Sequence, residues 1–187
     1  MKTISASLFA LALSSAVALA AGTTPPAAPA APTTVPTQMM CKTGEVVKTV
    51  KKKGKMTKKC VKATAGIIPD NELYAQGYLL AKTGQYDWAL SAFNAMTNKQ
   101  TPETLTMIGY SNRKAGRLEI AVSYYDQALA MQPDYVKARE YLGEGYVAAG
   151  RVDLAKLQLA EIAKRAGTAS EEYIDLSAAI AGKAVNL

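Results

Sequence analysis

The chain has 187 residues, enough for one domain with extensions or for two small domains, and it carries 22 basic against 15 acidic side chains. It contains no histidine and two cysteines, which excludes mechanisms that need a histidine base and zinc sites built from histidine or from four thiolates. The formal charge of +7 favours anionic partners wherever it is concentrated.

Residues 1–20 have the pattern of a secretory signal peptide. Lys2 gives a basic start, an apolar run covers Ile4 to Leu19, and the run ends in small residues that suit cleavage after Ala20. The run is short for a membrane core of about 30 Å, so cleavage is favoured over retention as an anchor. We therefore expect a bacterial protein exported to the periplasm or secreted, where disulfides persist.

Residues 21–40 form a segment rich in Pro, Ala and Thr. It contains five of the eight prolines and no charged side chain. Proline fixes φ and removes a hydrogen-bond donor, so we expect an extended, disordered linker here.

Residues 41–62 hold nine lysines against a single acid, Glu45, whereas residues 63–187 have 12 basic and 14 acidic side chains. Two β-prone runs flank a glycine-containing turn, which predicts a two-stranded hairpin. In an oxidising compartment a Cys41–Cys60 disulfide would close it. The lysines expected to contact an anionic surface are Lys48, Lys51, Lys52, Lys53, Lys55, Lys58 and Lys59.

After a short linker at 63–69, the sequence repeats at intervals of 32 and then 34 residues. Each unit has two apolar-periodic stretches joined by a glycine turn, which predicts helix pairs over 70–101, 102–135 and 136–168. A last helix at 169–182, with Ser170 as its N-cap, is expected to cover the final pair, and 183–187 is a tail. The recurring landmarks are Gly77, Gly109 and Gly143, then Gly84, Gly116 and Gly150, then Ala89, Ala121 and Ala155, then Phe93, Tyr125 and Leu159.

These landmarks resemble those of the tetratricopeptide repeat family across roughly residues 70–167. The resemblance implies an all-α solenoid of three repeats plus the capping helix, preceded here by the hairpin on its proline-rich linker. Gln76, Asn112 and Arg139 depart from the family pattern, because they stand where it usually buries an apolar side chain.

In this family the first helices of the repeats line a concave groove that commonly holds a peptide or a partner helix. Offsets from the landmark glycine select the side chains expected to face it, with tyrosines at one end of the array, cations in the middle and acids at the far end. Such tyrosines can equally shield neighbouring helices. The candidates are Asn71, Tyr74, Tyr78, Lys82, Glu103, Tyr110, Arg113, Lys114, Lys137, Glu140 and Glu144.

The favoured function is a non-enzymatic exported scaffold that binds a protein or peptide in the groove, while the hairpin contacts an anionic envelope surface such as lipid, lipopolysaccharide or wall polymer. Alternatively, the hairpin is the main site and the array is structural or oligomerising. A remote alternative is an envelope hydrolase that uses Glu140 and Glu144, one helical turn apart, as paired carboxylates. No cofactor is expected, and the absence of aromatic residues in 41–62 argues against nucleic acid.

Overall fold

A computed structural model describes residues 41–182 of the chain; the predicted signal peptide, linker and tail lie outside these residues. Within them a two-stranded hairpin precedes seven helices, as the sequence predicted. None of these helices is long and apolar enough to cross a membrane. The elements are β1 (Glu45–Lys52), β2 (Lys55–Lys62), α1 (Asp70–Lys82), α2 (Tyr86–Asn94), α3 (Pro102–Lys114), α4 (Leu118–Met131), α5 (Val136–Ala148), α6 (Val152–Ala166) and α7 (Glu171–Ile180).

The hairpin is antiparallel, with Val46 opposite Val61 at its base and Lys52 opposite Lys55 at its tip. Lys53 and Gly54 form the turn with φ of 47° and 79°. A two-residue turn in which both residues have positive φ matches the right-handed twist of the flanking strands. A positive φ is unusual for the first residue, a lysine. A disulfide joins Cys41 to Cys60 next to the base.

The helices form three antiparallel pairs joined by glycine turns. Gly84, Gly116 and Gly150 have φ of 82°, 82° and 72°, a conformation that ends the first helix of each pair and that glycine adopts without strain. Pro102 occupies the first turn of α3, where its missing N–H costs nothing, and Thr101 caps that helix. The repeat predicted from the sequence therefore folds as helix, turn, helix.

The landmark glycines lie where two helices come close together. A Cβ added at Gly77 would lie 2.5 Å from the Phe93 ring, and one at Gly109 would lie 2.7 Å from the ring of Tyr125. The third unit differs, because the space beside Gly143 is filled by Leu176 of α7. The aligned residue Leu159 is only half-buried, so the capping helix supplies the packing that the second helix supplies in the earlier units.

Helix α7 closes the array and begins as predicted, because the Ser170 hydroxyl accepts a hydrogen bond from the backbone N–H of Tyr173. Leu176 is fully buried between α5 and α6. Ile174, which the apolar pattern placed on the same stripe, is 55% exposed and does not join the core. The stripe that covers the array is therefore narrower than the sequence suggested.

The hairpin packs on the first helix pair. Val46 is 3% exposed and belongs to the same apolar cluster as Leu73 and Phe93. The side-chain amide of Gln76 pairs with the outer edge of β1: its Oε1 accepts from the Val47 N–H at 2.9 Å, and its Nε2 donates to the Val47 carbonyl at 2.8 Å. Gln76 thus takes the place of a neighbouring strand, which explains why a polar residue stands at a usually apolar site.

The other two departures from the family pattern also have partners. Asn112 donates to the Ile108 carbonyl and accepts from Arg117 Nε at 2.8 Å. Arg139 donates to the Pro133 carbonyl and so ties α5 to the end of the preceding repeat. The polar groups of both side chains therefore have hydrogen-bond partners inside the array.

Candidate functional site

The helix contacts define which side of the array is concave. Each first helix contacts the next, α1 with α3, α3 with α5 and α5 with α7. Among the helices of residues 41–182, α2 and α4 do not contact one another, and neither do α4 and α6. The array therefore curves with the first helices on its inner side, which is the surface on which the candidate groove residues were placed.

Four tyrosines lie along this inner surface; Tyr74, Tyr78, Tyr110 and Tyr141 are called the tyrosine row below. The ring centroids of Tyr74 and Tyr78 are 6.3 Å apart, and those of Tyr110 and Tyr141 are 5.0 Å apart. Tyr74 and Tyr78 are half-buried, whereas Tyr110 and Tyr141 are almost fully buried. Tyr141 was not among the residues predicted from the sequence, although it lies four residues after Lys137 on the same helix face.

Three cations surround the tyrosine row at the carboxyl ends of α1 and α3. Lys82 Nζ lies 5.1 Å from the centroid of the Tyr110 ring, and the Arg113 guanidinium lies 5.5 Å from Tyr110 and 5.6 Å from Tyr141. Burial, the charge of Arg113 and that of Lys82 together lower the pKa of Lys114, in spite of Glu144. A nearby anionic group would favour the charged form of such a lysine.

Glu140 and Glu144, the acids predicted at the far end of the groove, are 3% and 5% exposed. Glu144 accepts from Arg113 at 2.6 Å, which joins α5 to α3. Glu140 lies 2.7 Å from Lys137 Nζ, and the same lysine lies 3.2 Å from Glu172 of α7. Burial raises the pKa of Glu140 to about 7, against the lowering effect of Lys137. Glu144 thus joins two helices directly, whereas Glu140 pairs within α5 with the lysine that also contacts α7.

The remaining polar and charged candidates of the first two repeats lie at opposite ends of their helices. Asn71 and Glu103 lie at the amino-terminal ends of α1 and α3, and Lys82 and Lys114 lie at the carboxyl-terminal ends. Eleven residues separate the two edges on each helix, or about 16 Å at 1.5 Å per residue. The surface therefore has one polar-to-acidic edge and one basic edge, rather than a gradient from the first repeat to the last.

The basic hairpin, residues 41–62, forms the second candidate surface. Of the seven predicted contact lysines, Lys48 is partly buried and the other six are exposed. Lys48 lies opposite Lys59, and Lys52 lies opposite Lys55. Like charges directly opposite one another destabilise a strand pair. No lysine of the hairpin forms a salt bridge with any residue of the described chain.

Residues 41–182 contain no group of three or more His, Cys, Asp or Glu side chains placed to hold a metal ion. The two carboxylates considered for hydrolysis bind different cations, Arg113 for Glu144 and Lys137 for Glu140. Their geometry is that of two separate ion pairs.

Comparison with known proteins agrees with this architecture. The family model for the tetratricopeptide repeat matches residues 113–180, which run from the end of α3 through α7. No curated protein matches the chain. This match and the repeated helix pairs joined by glycine turns support a tetratricopeptide repeat architecture.

Proposed function

We propose that this protein is a non-enzymatic exported scaffold with two working surfaces. The inner surface of the array binds a protein or peptide partner, and the basic hairpin contacts an anionic surface of the bacterial envelope. Tetratricopeptide repeats indicate a protein-interaction scaffold, and the Cys41–Cys60 bond indicates an oxidising compartment. The partner on the inner surface and the contact with the envelope go beyond these two observations and are our proposal.

The tyrosine row beside Lys82 and Lys114 is the observation that carries the first half of the proposal. Tyrosine and arginine are the side chains most often found as binding anchors. Tyr78 is half-buried and Lys82 is exposed, so a partner could contact both without moving a helix. A partner that lies across the inner surface with an acidic side chain towards Lys82 and Lys114 would fit the basic edge described above.

The first half is tested by charge reversal on the full chain. A Lys82→Glu, Lys114→Glu double variant should lose most of the protein that the unchanged chain captures from an envelope extract. The matched control is Lys156→Glu, Lys164→Glu, which makes the same charge change at two exposed lysines of α6 and should capture as before. Equal capture by both double variants would contradict the use of the basic edge.

The charge of the hairpin supports the second half of the proposal, its contact with the envelope. The same observation is the basis of the alternative in which the hairpin is the main site. Two pairs of its lysines, Lys48 with Lys59 and Lys52 with Lys55, lie opposite one another across the strands, an arrangement that an anionic surface would stabilise. Envelope association should fall when salt rises from about 0.05 M to about 0.5 M, because exposed charges are screened beyond the Debye length. Association that does not change with salt would contradict this half.

Truncation before Ala63 is a poor test of either surface. It would remove Val46 and Val61, which pack in and against the apolar cluster of the first helix pair. Loss of binding by such a truncation would therefore mix the loss of a site with the loss of folded structure, and point variants separate the two.

A further inference from the structure

The distal half of the hairpin protrudes from the array. Residues 51–59 are all exposed, whereas Val46 is buried and Val47 is held by Gln76. The strands rise about 3.3 Å per residue, so the turn at Lys53 lies about 20 Å from the anchored Val47. The base is fixed further by the disulfide and by the Gly44 N–H, which donates to the Ser91 hydroxyl.

Four lysines, Lys51, Lys52, Lys53 and Lys55, crowd this tip. They share it with one large apolar side chain, Met56, which lies opposite Lys51 and is 61% exposed. Amphipathic helices that lie in the interface of anionic bilayers combine lysines with exposed apolar side chains, and the hairpin tip presents the same two kinds of group. A soluble polyanion would use the lysines and would gain nothing from Met56.

We propose that the hairpin docks end-on to a bilayer with anionic phosphate headgroups, with Met56 entering the interface among the four tip lysines. This inference rests on the hairpin half of the proposed function and deepens it by naming the lipid surface and the orientation. In this orientation the lysines at the base, Lys42 and Lys62, stand more than two Debye lengths from the headgroups at about 0.15 M salt.

The test is co-sedimentation of the full mature chain with phosphatidylglycerol-containing vesicles at about 0.15 M salt, with pure phosphatidylcholine vesicles as the uncharged reference. A lysine next to an anionic surface contributes about 1 kcal/mol, or about fivefold in partitioning. The tip variant Lys52→Gln, Lys55→Gln should therefore bind roughly 25-fold more weakly. The base variant Lys42→Gln, Lys62→Gln has the same net charge and should bind within about twofold of the unchanged chain, because its lysines are screened.

Loss of binding in the tip variant cannot come from unfolding of the hairpin. That variant removes the repulsion between two lysines that lie directly opposite one another, so its hairpin should be at least as stable as the original.

A second pair of variants tests the role of Met56. Met56→Ser should weaken binding to anionic vesicles several-fold and leave binding to soluble polyphosphate unchanged. The control Met131→Ser alters a similarly exposed methionine, 52% exposed on α4, and should change neither.

The outcomes separate this inference from the function on which it rests. Equal weakening by the tip and base variants would mean that the hairpin binds anions without end-on docking, which overturns the inference alone. Vesicle binding that is insensitive to Met56→Ser and matched by polyphosphate binding would identify a soluble polyanion site, and would overturn it as well. Failure to bind either probe would overturn both the inference and the hairpin half of the proposed function.

Discussion

Replacing Gln76 by leucine tests whether the hairpin is built onto the helices. Gln76→Leu restores the apolar side chain that the family usually has at this position, and it removes both hydrogen bonds to Val47, which measure 2.9 and 2.8 Å. A typical intramolecular hydrogen bond contributes about 1 kcal/mol net. Since the site is only partly buried, water can reach the abandoned groups, and we expect a loss of about 2 kcal/mol from the free energy of unfolding.

Two measurements follow the effect of this substitution. Urea unfolding gives the free energy, and hydrogen exchange gives the protection of the Val47 amide. In the unchanged chain this amide should be protected, and in Gln76→Leu it should exchange much faster while the ladder between β1 and β2 remains protected. Faster exchange at Val47 alone would locate the loss at the contact with α1.

The control is Gln127→Leu on α4, where the exposed glutamine bonds, within residues 41–182, only to Ser123 of its own helix. Surface substitutions of this kind usually change stability by less than about 0.5 kcal/mol. If Gln76→Leu were as stable as this control and left exchange at Val47 unchanged, the hairpin would not be held by Gln76 and the reasoning would be wrong.

Three further predictions concern the core, the buried acid and the turn. Gly109→Ala should lower stability by about 1 to 3 kcal/mol in thermal unfolding, because the new Cβ would lie 2.7 Å from the Tyr125 ring; an unchanged melting temperature would contradict the close crossing. Since burial raises the pKa of Glu140 to about 7 in the folded protein, the neutral form is favoured there, and stability should fall by on the order of 3 kcal/mol as pH rises from about 4.5 through 7. Glu140→Gln should remove this part of the pH dependence, and an identical pH profile would refute the assignment. Lys53→Asn should stabilise the hairpin by a few tenths of a kcal/mol, since asparagine tolerates positive φ better than lysine, and slower exchange of the strand amides would show it.

The helical array could be predicted because its signals are local and repeated. Glycine turns such as Gly116, close-packing positions such as Gly109 and the cap at Ser170 each follow from a residue type at a fixed spacing. The hairpin was predicted for the same reason, from two β-prone runs around Gly54.

What the sequence did not reveal depends on contacts between elements far apart in the chain. The pairing of Gln76 with Val47 joins residues 29 apart, and its only trace in the sequence was a polar residue at a usually apolar site. Offsets along one helix located Glu140 and Glu144 on the inner side, but their burial depends on Arg113 of α3 and on α7. For the same reason, Leu176 rather than Leu159 fills the space beside Gly143.

The central claim, that the inner surface of the array binds the partner, is tested most directly by site-specific photo-cross-linking of the full chain. A photo-reactive side chain would replace either Lys82, exposed at the basic edge of the inner surface, or Leu157, which is 62% exposed on α6. The proposed function predicts a cross-linked partner from position 82 that unlabelled protein competes away, and none from position 157. A partner cross-linked from position 157 and not from position 82 would contradict it.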